Sequence, residues 1–329
     1  MTTFGLKAEC GRFIRYDDPS ADLPQLREAG IFDGPFLHLG GGSNLLFTSG
    51  HFAGTVLHNC CSGLVFARIG DTVMATAAAG CRLDDVCREA CRRGLWGMEN
   101  LSGIPGNIGG AAVQNVGAYG TELRDLVDEV EVFDTVSGHF RSLSAEECAY
   151  GYRDSLFKHL PVAGSLVVTR VRLRLTALPS PRLGYKALAD RFGDADPASL
   201  TPTLLREAVI ALRDAKLPDP LTTGSAGSFF TNPVVSADAY EALKAVHEEI
   251  PGHITPAGDV KLSAAWLIDH AGCKSLRIGG AALWPSQPLV IVNATGEASG
   301  ADVVALEHEI CRRVKEVFGV ALVPEVVHI

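Results

Sequence analysis

The sequence predicts an α+β protein whose first half is rich in strands and whose second half is more helical. Three observations carry the prediction. VDEVEVFD (127–134) and SLVVTRVRLRLT (165–176) alternate with period two, as strands with one solvated face do. After ALPSPRLGY (177–185) helical periodicity takes over. A chain of 329 residues is also too long for one core and points to two or three domains, with a boundary near residue 215.

Taken in order, LHLGGGSNLLF (37–47) runs from a short apolar strand into three glycines. LVFARIGDTVMATAAAG (64–80) reads as a hairpin around Gly70 and Asp71. CRLDDVCREACRRG then reads as a helix that stops at Gly94. Ser144 and Glu147 have capping-box spacing. Thr201 and Pro202 open a helix to about Lys216, with threonine as N-cap and proline at the first helical position, and LPDP ends it. Further helices are expected near 236–249, 261–271 and 299–317, separated by short apolar strands such as PLVIVN.

Composition limits the partners. The net charge is −9, which argues against nucleic acid or an anionic membrane as partner and leaves any phosphate-bearing ligand to be met by local donors. The start MTTFGLKAEC lacks the features of a signal peptide, and no apolar run of about 18 residues occurs. A cytoplasmic monomer is expected. The nine cysteines show no paired CxxC pattern, so no metal site is expected and the thiols read as buried or idle.

Two glycine-rich segments are candidates for ligand binding. In the first, successive glycines permit positive φ and let backbone N–H groups converge on an anion, while Ser43 and Asn44 add side-chain donors. A plain turn between strands is the alternative. Gly40 and Gly42 match a dinucleotide fingerprint but Leu45 occupies its third glycine position, which disfavours a Rossmann fold. The second, ENLSGIPGNIGGAAVQNVGAYGTE (99–122), offers Gly103, Gly106, Gly109, Gly110 and Gly117 with few charges, a strip able to lie along a large flat ligand. The alternative is a helix-packing strip, against which Pro105 argues. Ser228 in AGSFFTNP (226–233) reads as a turn cap or as a hydroxyl placed to give up a proton.

These segments, with GYRDSLFK, KLPDP, KLSAAWLID, QPLVIVN and PEV, resemble the UDP-N-acetylenolpyruvoylglucosamine reductase family, also called UDP-N-acetylmuramate dehydrogenases, from Thr3 to Glu325. PRLGY, which carries Tyr185, resembles the loop of the type I enzymes, where a tyrosine covers the substrate. The resemblance implies a vanillyl-alcohol-oxidase-type FAD fold in two subdomains, 1–62 and 63–214, the second with a C-terminal strand near 318–329 that returns to the active site, and a substrate domain over 215–317. It implies FAD contacts at Gly40, Gly41, Gly42, Ser43, Asn44, Leu45, Gly103, Ile104, Pro105, Gly106, Ile108, Gly109, Gly110, Asn115, Gly117, Ala118 and Tyr119.

The implied reaction belongs to cytoplasmic peptidoglycan precursor synthesis. NADPH reduces the flavin, which then gives hydride to the vinyl ether of UDP-N-acetylglucosamine enolpyruvate, forming UDP-N-acetylmuramate. By resemblance Ser228 is the proton donor, Arg153 pairs with the enolpyruvyl carboxylate, and Glu325 helps to stabilise or protonate the intermediate. Tyr185, Lys216, Asn232 and Gln287 match positions that hold the nucleotide sugar. Individually each has a plainer explanation: for Arg153, a surface ion pair with Asp154. The chain departs from the family pattern at Thr2, around Ser102, Gly103 and Asn107, and at Ser275, without losing a catalytic group. The rivals are another FAD oxidoreductase of this fold acting on a small alcohol or sugar, and a silent nucleotide-sugar-binding protein.

Overall fold

Alternating apolar residues dictate the main sheet. In the strand Val127–Asp134, Val130 and Val132 are fully buried, and in Leu166–Thr176 so are Val171 and Leu173. Between them Arg170, Arg172 and Arg174 turn to the other face, where they meet Glu131 at 3.1 Å, Asp128 at 2.6 Å and Asp128 at 2.5 Å respectively. The computed structural model describes residues 2–160 and 164–329. It divides into two compact units, Cys10–Gly41 with Ala53–Arg213, and Met1–Glu9 with Gly42–Phe52 and Asp214–Ile329.

The first unit is built on a five-stranded antiparallel sheet in the order Phe140–Ser144, Val127–Asp134, Leu166–Thr176, Thr72–Ala78, Leu64–Ile69. Its last two strands are the expected hairpin, turned at Gly70 with φ 63°. The helices Leu83–Arg92 and Ile108–Gln114 bury Leu83, Val86, Ala90, Ile108 and Ala112 in the same core. The expected stop is present: Gly94 has φ 72°. A smaller sheet orders Glu9–Tyr16, His51–Asn59 and Phe36–Leu39, the last two parallel. The helices Lys186–Phe192 and Pro202–Asp214 close a satellite core around Trp96, Leu188, Leu205 and Val209. Thr201 Oγ1 accepts from the Leu204 N–H at 3.1 Å, as its N-cap reading requires.

The second unit has a four-stranded antiparallel sheet, Gly224–Ser228, Gln287–Asn293, Ala281–Trp284, Arg277–Ile278. The helix Gly300–Phe318 starts in a capping box of Ser299 and Asp302 and ends at Gly319, φ 69°. A three-stranded sheet orders Val234–Val235, Val260–Leu262 and Gly252–Ile254, and Val327–His328 pairs in parallel with Leu45–Leu46.

Two local expectations change. The helix placed near 261–271 is Ala264–His270, because Val260–Leu262 are taken up in a sheet and Ser263 caps the helix through the Trp266 N–H. Ser144 and Glu147 do make reciprocal bonds, at 2.8 and 3.2 Å, yet they close a single turn. Ala149 at φ 47° ends it before a helix can propagate.

Candidate active site

Gly40 and Gly41 follow the strand Phe36–Leu39 and lie against the second glycine segment. A Cβ at Gly41 would stand 2.6 Å from the Gly106 Cα, and one at Gly40 would be 3.4 Å from the Asn107 Cβ. Close approach, rather than an unusual dihedral, is what requires glycine at Gly41, whereas the Gly40 contact is of ordinary van der Waals length. Of the three, only Gly42 is left-handed, at φ 61°.

The 103–110 strip is pinned from beneath. Leu83 N–H donates to Gly106 O at 3.0 Å, Ile108 N–H to Cys81 O at 2.9 Å, and Gly109 N–H to Ala79 O at 3.0 Å. A Cβ at Gly109 would be 2.7 Å from that of Ala79. Gly103 N–H donates to Asp84 Oδ1 at 2.6 Å, and Arg206 grips the same carboxylate through two bonds of 2.5 and 2.9 Å. Burial works to raise the Asp84 carboxyl, but the Arg206 guanidinium and the Gly103 amide outweigh it and hold it below the ordinary range. No sequence signal announced this pair, whose members lie 122 residues apart.

Along the strip Gly103, Pro105 and Gly110 are exposed and Ile104 and Gly106 half-buried, with Gly103 set against Arg213 and Gly106 against Gly41. Ile108 differs in burial. Its side chain is fully buried beneath the strip because it anchors the helix Ile108–Gln114 to the sheet. The Asn115 side chain is engaged within the protein: it donates to Gly151 O at 2.6 Å and Glu122 Oε2 at 3.0 Å and accepts from Arg124 N–H at 3.0 Å. Left-handed at φ 43°, Asn115 ends the helix and turns its amide into the scaffold.

That scaffold carries Arg153. Gly151 and Asp154 close the turn around it by mutual backbone bonds of 2.9 and 3.3 Å, and Arg153 itself has φ 54°. Its Nη2 donates to Gly117 O at 2.6 Å, and a Cβ at Gly117 would come within 3.0 Å of Nη1. Asp154 instead meets the His159 Nε2 at 2.8 Å. Gly117–Ala118 pairs with Thr121–Glu122 in a short hairpin, and Tyr119 in its turn meets the Tyr185 ring edge-to-face at 4.9 Å.

Ser228, Glu325, Lys216, Asn232 and Gln287 belong to the other unit. Ser228 ends the strand Gly224–Ser228, opposite Val290 after a register shift, with the preceding Gly227 at φ 72°. Phe229 and Phe230, both essentially buried, fix the next two residues. Phe230 bridges Pro324, and Glu325 N–H donates to Phe229 O at 2.8 Å, so the segments bearing Ser228 and the half-buried Glu325 are hydrogen-bonded neighbours. Asn44 holds the far side of this segment: its amide donates to Glu325 O at 3.1 Å while its own carbonyl accepts from Val327 N–H at 3.0 Å. Of the two side-chain N–H groups of Asn44, expected as an anion donor, one is committed to the C-terminal segment. Asn232 Oδ1 accepts from Ala264 N–H at 3.0 Å, which orients its side-chain amide. Lys216 is exposed just past the helix Pro202–Asp214, Gln287 opens its strand half-buried, Ser43 is half-buried, and Leu45 pairs with Val327.

A family model described as FAD binding domain matches residues 25–144, and one described as UDP-N-acetylenolpyruvoylglucosamine reductase, C-terminal domain, matches 219–329. The α+β fold expected from the sequence, an FAD-binding part followed by a distinct C-terminal domain, is borne out. The UDP-N-acetylenolpyruvoylglucosamine reductase of Chromobacterium violaceum is 43% identical over 98% of this chain and 94% of its own length. That of Porphyromonas gingivalis strain W83 is 40% identical over 99% and 96%. The crystal structure of the reductase of the same name from Thermus caldophilus superposes with a TM-score of 0.66 at 28% identity, covering 99% of this chain and 95% of that one. The chain belongs to the UDP-N-acetylenolpyruvoylglucosamine reductase family.

Proposed function

We propose that this protein uses FAD and NADPH to reduce the enolpyruvyl vinyl ether of UDP-N-acetylglucosamine enolpyruvate to UDP-N-acetylmuramate, a step of peptidoglycan precursor synthesis. The observation that carries the reading is family membership over almost the whole chain together with retention of Arg153, Ser228 and Glu325, each on well-anchored backbone. Neither a flavin oxidase of small alcohols nor a silent binding protein has reason to keep all three.

Bound FAD supplies the hydride that no side chain can. The glycine segments at 40–44 and 103–110 hold it with backbone amides and aliphatic surface. Arg153 offers a permanently charged planar fork to the substrate carboxylate and to the negative charge that develops beside it. Ser228 gives its hydroxyl proton to C2, a transfer that a strongly basic carbanionic centre makes favourable, and Glu325 shares in stabilising that charge. Lys216 meets the diphosphate; Tyr185, Asn232 and Gln287 hold the sugar and nucleotide. In this reading residues 1–62 and 63–214 bind FAD and 215–317 bind substrate, and the enzyme is a cytoplasmic monomer without nucleic-acid or membrane partners. Among the described residues no helix is long and apolar enough to cross a membrane.

Stopped-flow absorbance on Ser228→Ala tests the central assignment. NADPH should bleach the flavin at the normal rate, while reoxidation by the enolpyruvyl substrate slows by at least about 100-fold. Normal rates in both half-reactions would make Ser228 structural and pass proton donation to Glu325 or water.

A further inference from the structure

Asn100 stands fully buried in the short helical turn Glu99–Leu101, outside every role assigned above. Its amide nitrogen donates to two carbonyls, Tyr119 O at 2.8 Å and Arg182 O at 3.0 Å. Two acceptors facing one nitrogen settle the amide's orientation, since an oxygen there would be repelled by both. Tyr119 belongs to the glycine-rich hairpin, where it is left-handed at φ 49°, and Arg182 belongs to the loop that presents Tyr185. One buried side chain therefore joins the segment proposed to line the flavin to the loop proposed to cover the substrate.

The loop's remaining attachments point the same way. Arg182 reaches Asp125 at 2.6 Å on the half-exposed side. Tyr185 and Tyr119 meet edge-to-face, and Tyr119 and Leu183 both pack on the satellite core of Leu188 and Val209. Pro179 and Pro181 remove two backbone donors just before Arg182, so the loop relies on its carbonyls and side chains for attachment.

We propose that Asn100 is a positioning residue for substrate binding: with the outer Arg182–Asp125 pair it tethers the Tyr185 loop to the Tyr119 hairpin and so sets where the Tyr185 side chain meets the substrate. The inference rests on the proposed substrate role of Tyr185. Losing a buried amide that serves two carbonyls should raise KM for the enolpyruvyl substrate about tenfold, leaving kcat and bound FAD nearly unchanged. A purely structural role would lower stability or FAD content without that split.

The test is a double-mutant cycle on the holoenzyme, with KM, kcat, FAD absorbance and trypsin cleavage after Arg182 and Lys186 as readouts. The tether requires that Asn100→Ala raise KM and speed loop cleavage, and that it add nothing to KM in a Tyr185→Ala background. Additive effects overturn it. If Tyr185→Ala alone leaves KM unchanged, the substrate assignment of Tyr185 fails, and loop cleavage in Asn100→Ala decides the tether by itself. If Asn100→Ala does not fold, Asp125→Asn cuts the outer attachment at the surface; unchanged cleavage and KM there overturn the proposal, and a smaller rise in both supports it.

Discussion

Arg153 sits on a turn whose strain it bears itself, at φ 54°, whereas Ser228 follows a glycine that bears the strain for it, Gly227 at φ 72°. A left-handed non-glycine residue costs about 1–2 kcal/mol, and a glycine there costs little. The surroundings differ accordingly. Arg153 is over-determined by two distant partners, Gly117 O on its guanidinium and Asn115 on the turn, and by the nearby Lys158 Nζ on its carbonyl at 2.9 Å. Ser228 is held by strand pairing with Val290 and by the buried phenylalanines after it. One group is aimed by a polar network and the other by sheet and core, so each should fail differently.

The sharpest way to break the comparison is Gly117→Ala. The added methyl would meet Glu122 Cγ at 2.9 Å and Arg153 Nη1 and Thr121 O at 3.0 Å, and the guanidinium, at the end of a long side chain, shifts more readily than the backbone oxygen. Displacing a charged group by a fraction of an ångström to an ångström lowers kcat/KM by on the order of 10²-fold. Steady-state kinetics alongside FAD absorbance check it; wild-type kcat/KM with full FAD would show that Gly117 does not aim Arg153. Next comes Asn115→Gly, which tolerates φ 43° and so isolates the side chain. Stranding the groups it serves should cost about 2–3 kcal/mol in urea unfolding, with a milder loss of activity. Gly227→Ala comes third. Its Cβ would meet nothing within 4 Å, so only the dihedral penalty acts, about 1–2 kcal/mol of stability and less than a tenfold change in flavin reoxidation. A larger kinetic loss would mean that Ser228 depends on its local backbone as strongly as Arg153 does.

The elements most legible in the sequence were those whose signals are local. The hairpin turned at Gly70 and the helices capped by Thr201 and ended by Gly94 follow from neighbouring residues. Ser144 and Glu147 mark the limit of such signals: their reciprocal bonds form, and a left-handed Ala149 decides that no helix follows. The family was legible through ordered motifs rather than through any one residue. What stayed hidden depends on partners distant in the chain. The Asn115 amide donates to Gly151, 36 residues on. The Asn44 amide gives one hydrogen to Glu325, 281 residues on. Short polar side chains in glycine-rich segments serve ligand and scaffold equally well, and only tertiary pairing separates the two.

Acid gives the smallest expected effect, and it bears on the unit that holds Arg153. His38, in the strand that leads into Gly40, keeps both ring nitrogens sealed from solvent between Phe32 and Phe36, without a hydrogen-bond partner among the described residues. Burial lowers its pKa to about 4. An unfolded histidine titrates near 6.5, so below that pH the unfolded chain takes up a proton that the folded chain refuses. Stability is therefore lost as pH falls from about 6.5 toward 4, by roughly 1 kcal/mol between pH 7.5 and 5.5. His38→Leu removes that difference. Urea midpoints of wild type and variant at both pH values measure it: the wild type should lose ground relative to the variant at pH 5.5. A gap between the two that does not change with pH would mean that the His38 ring is protonated equally in the folded and unfolded chains.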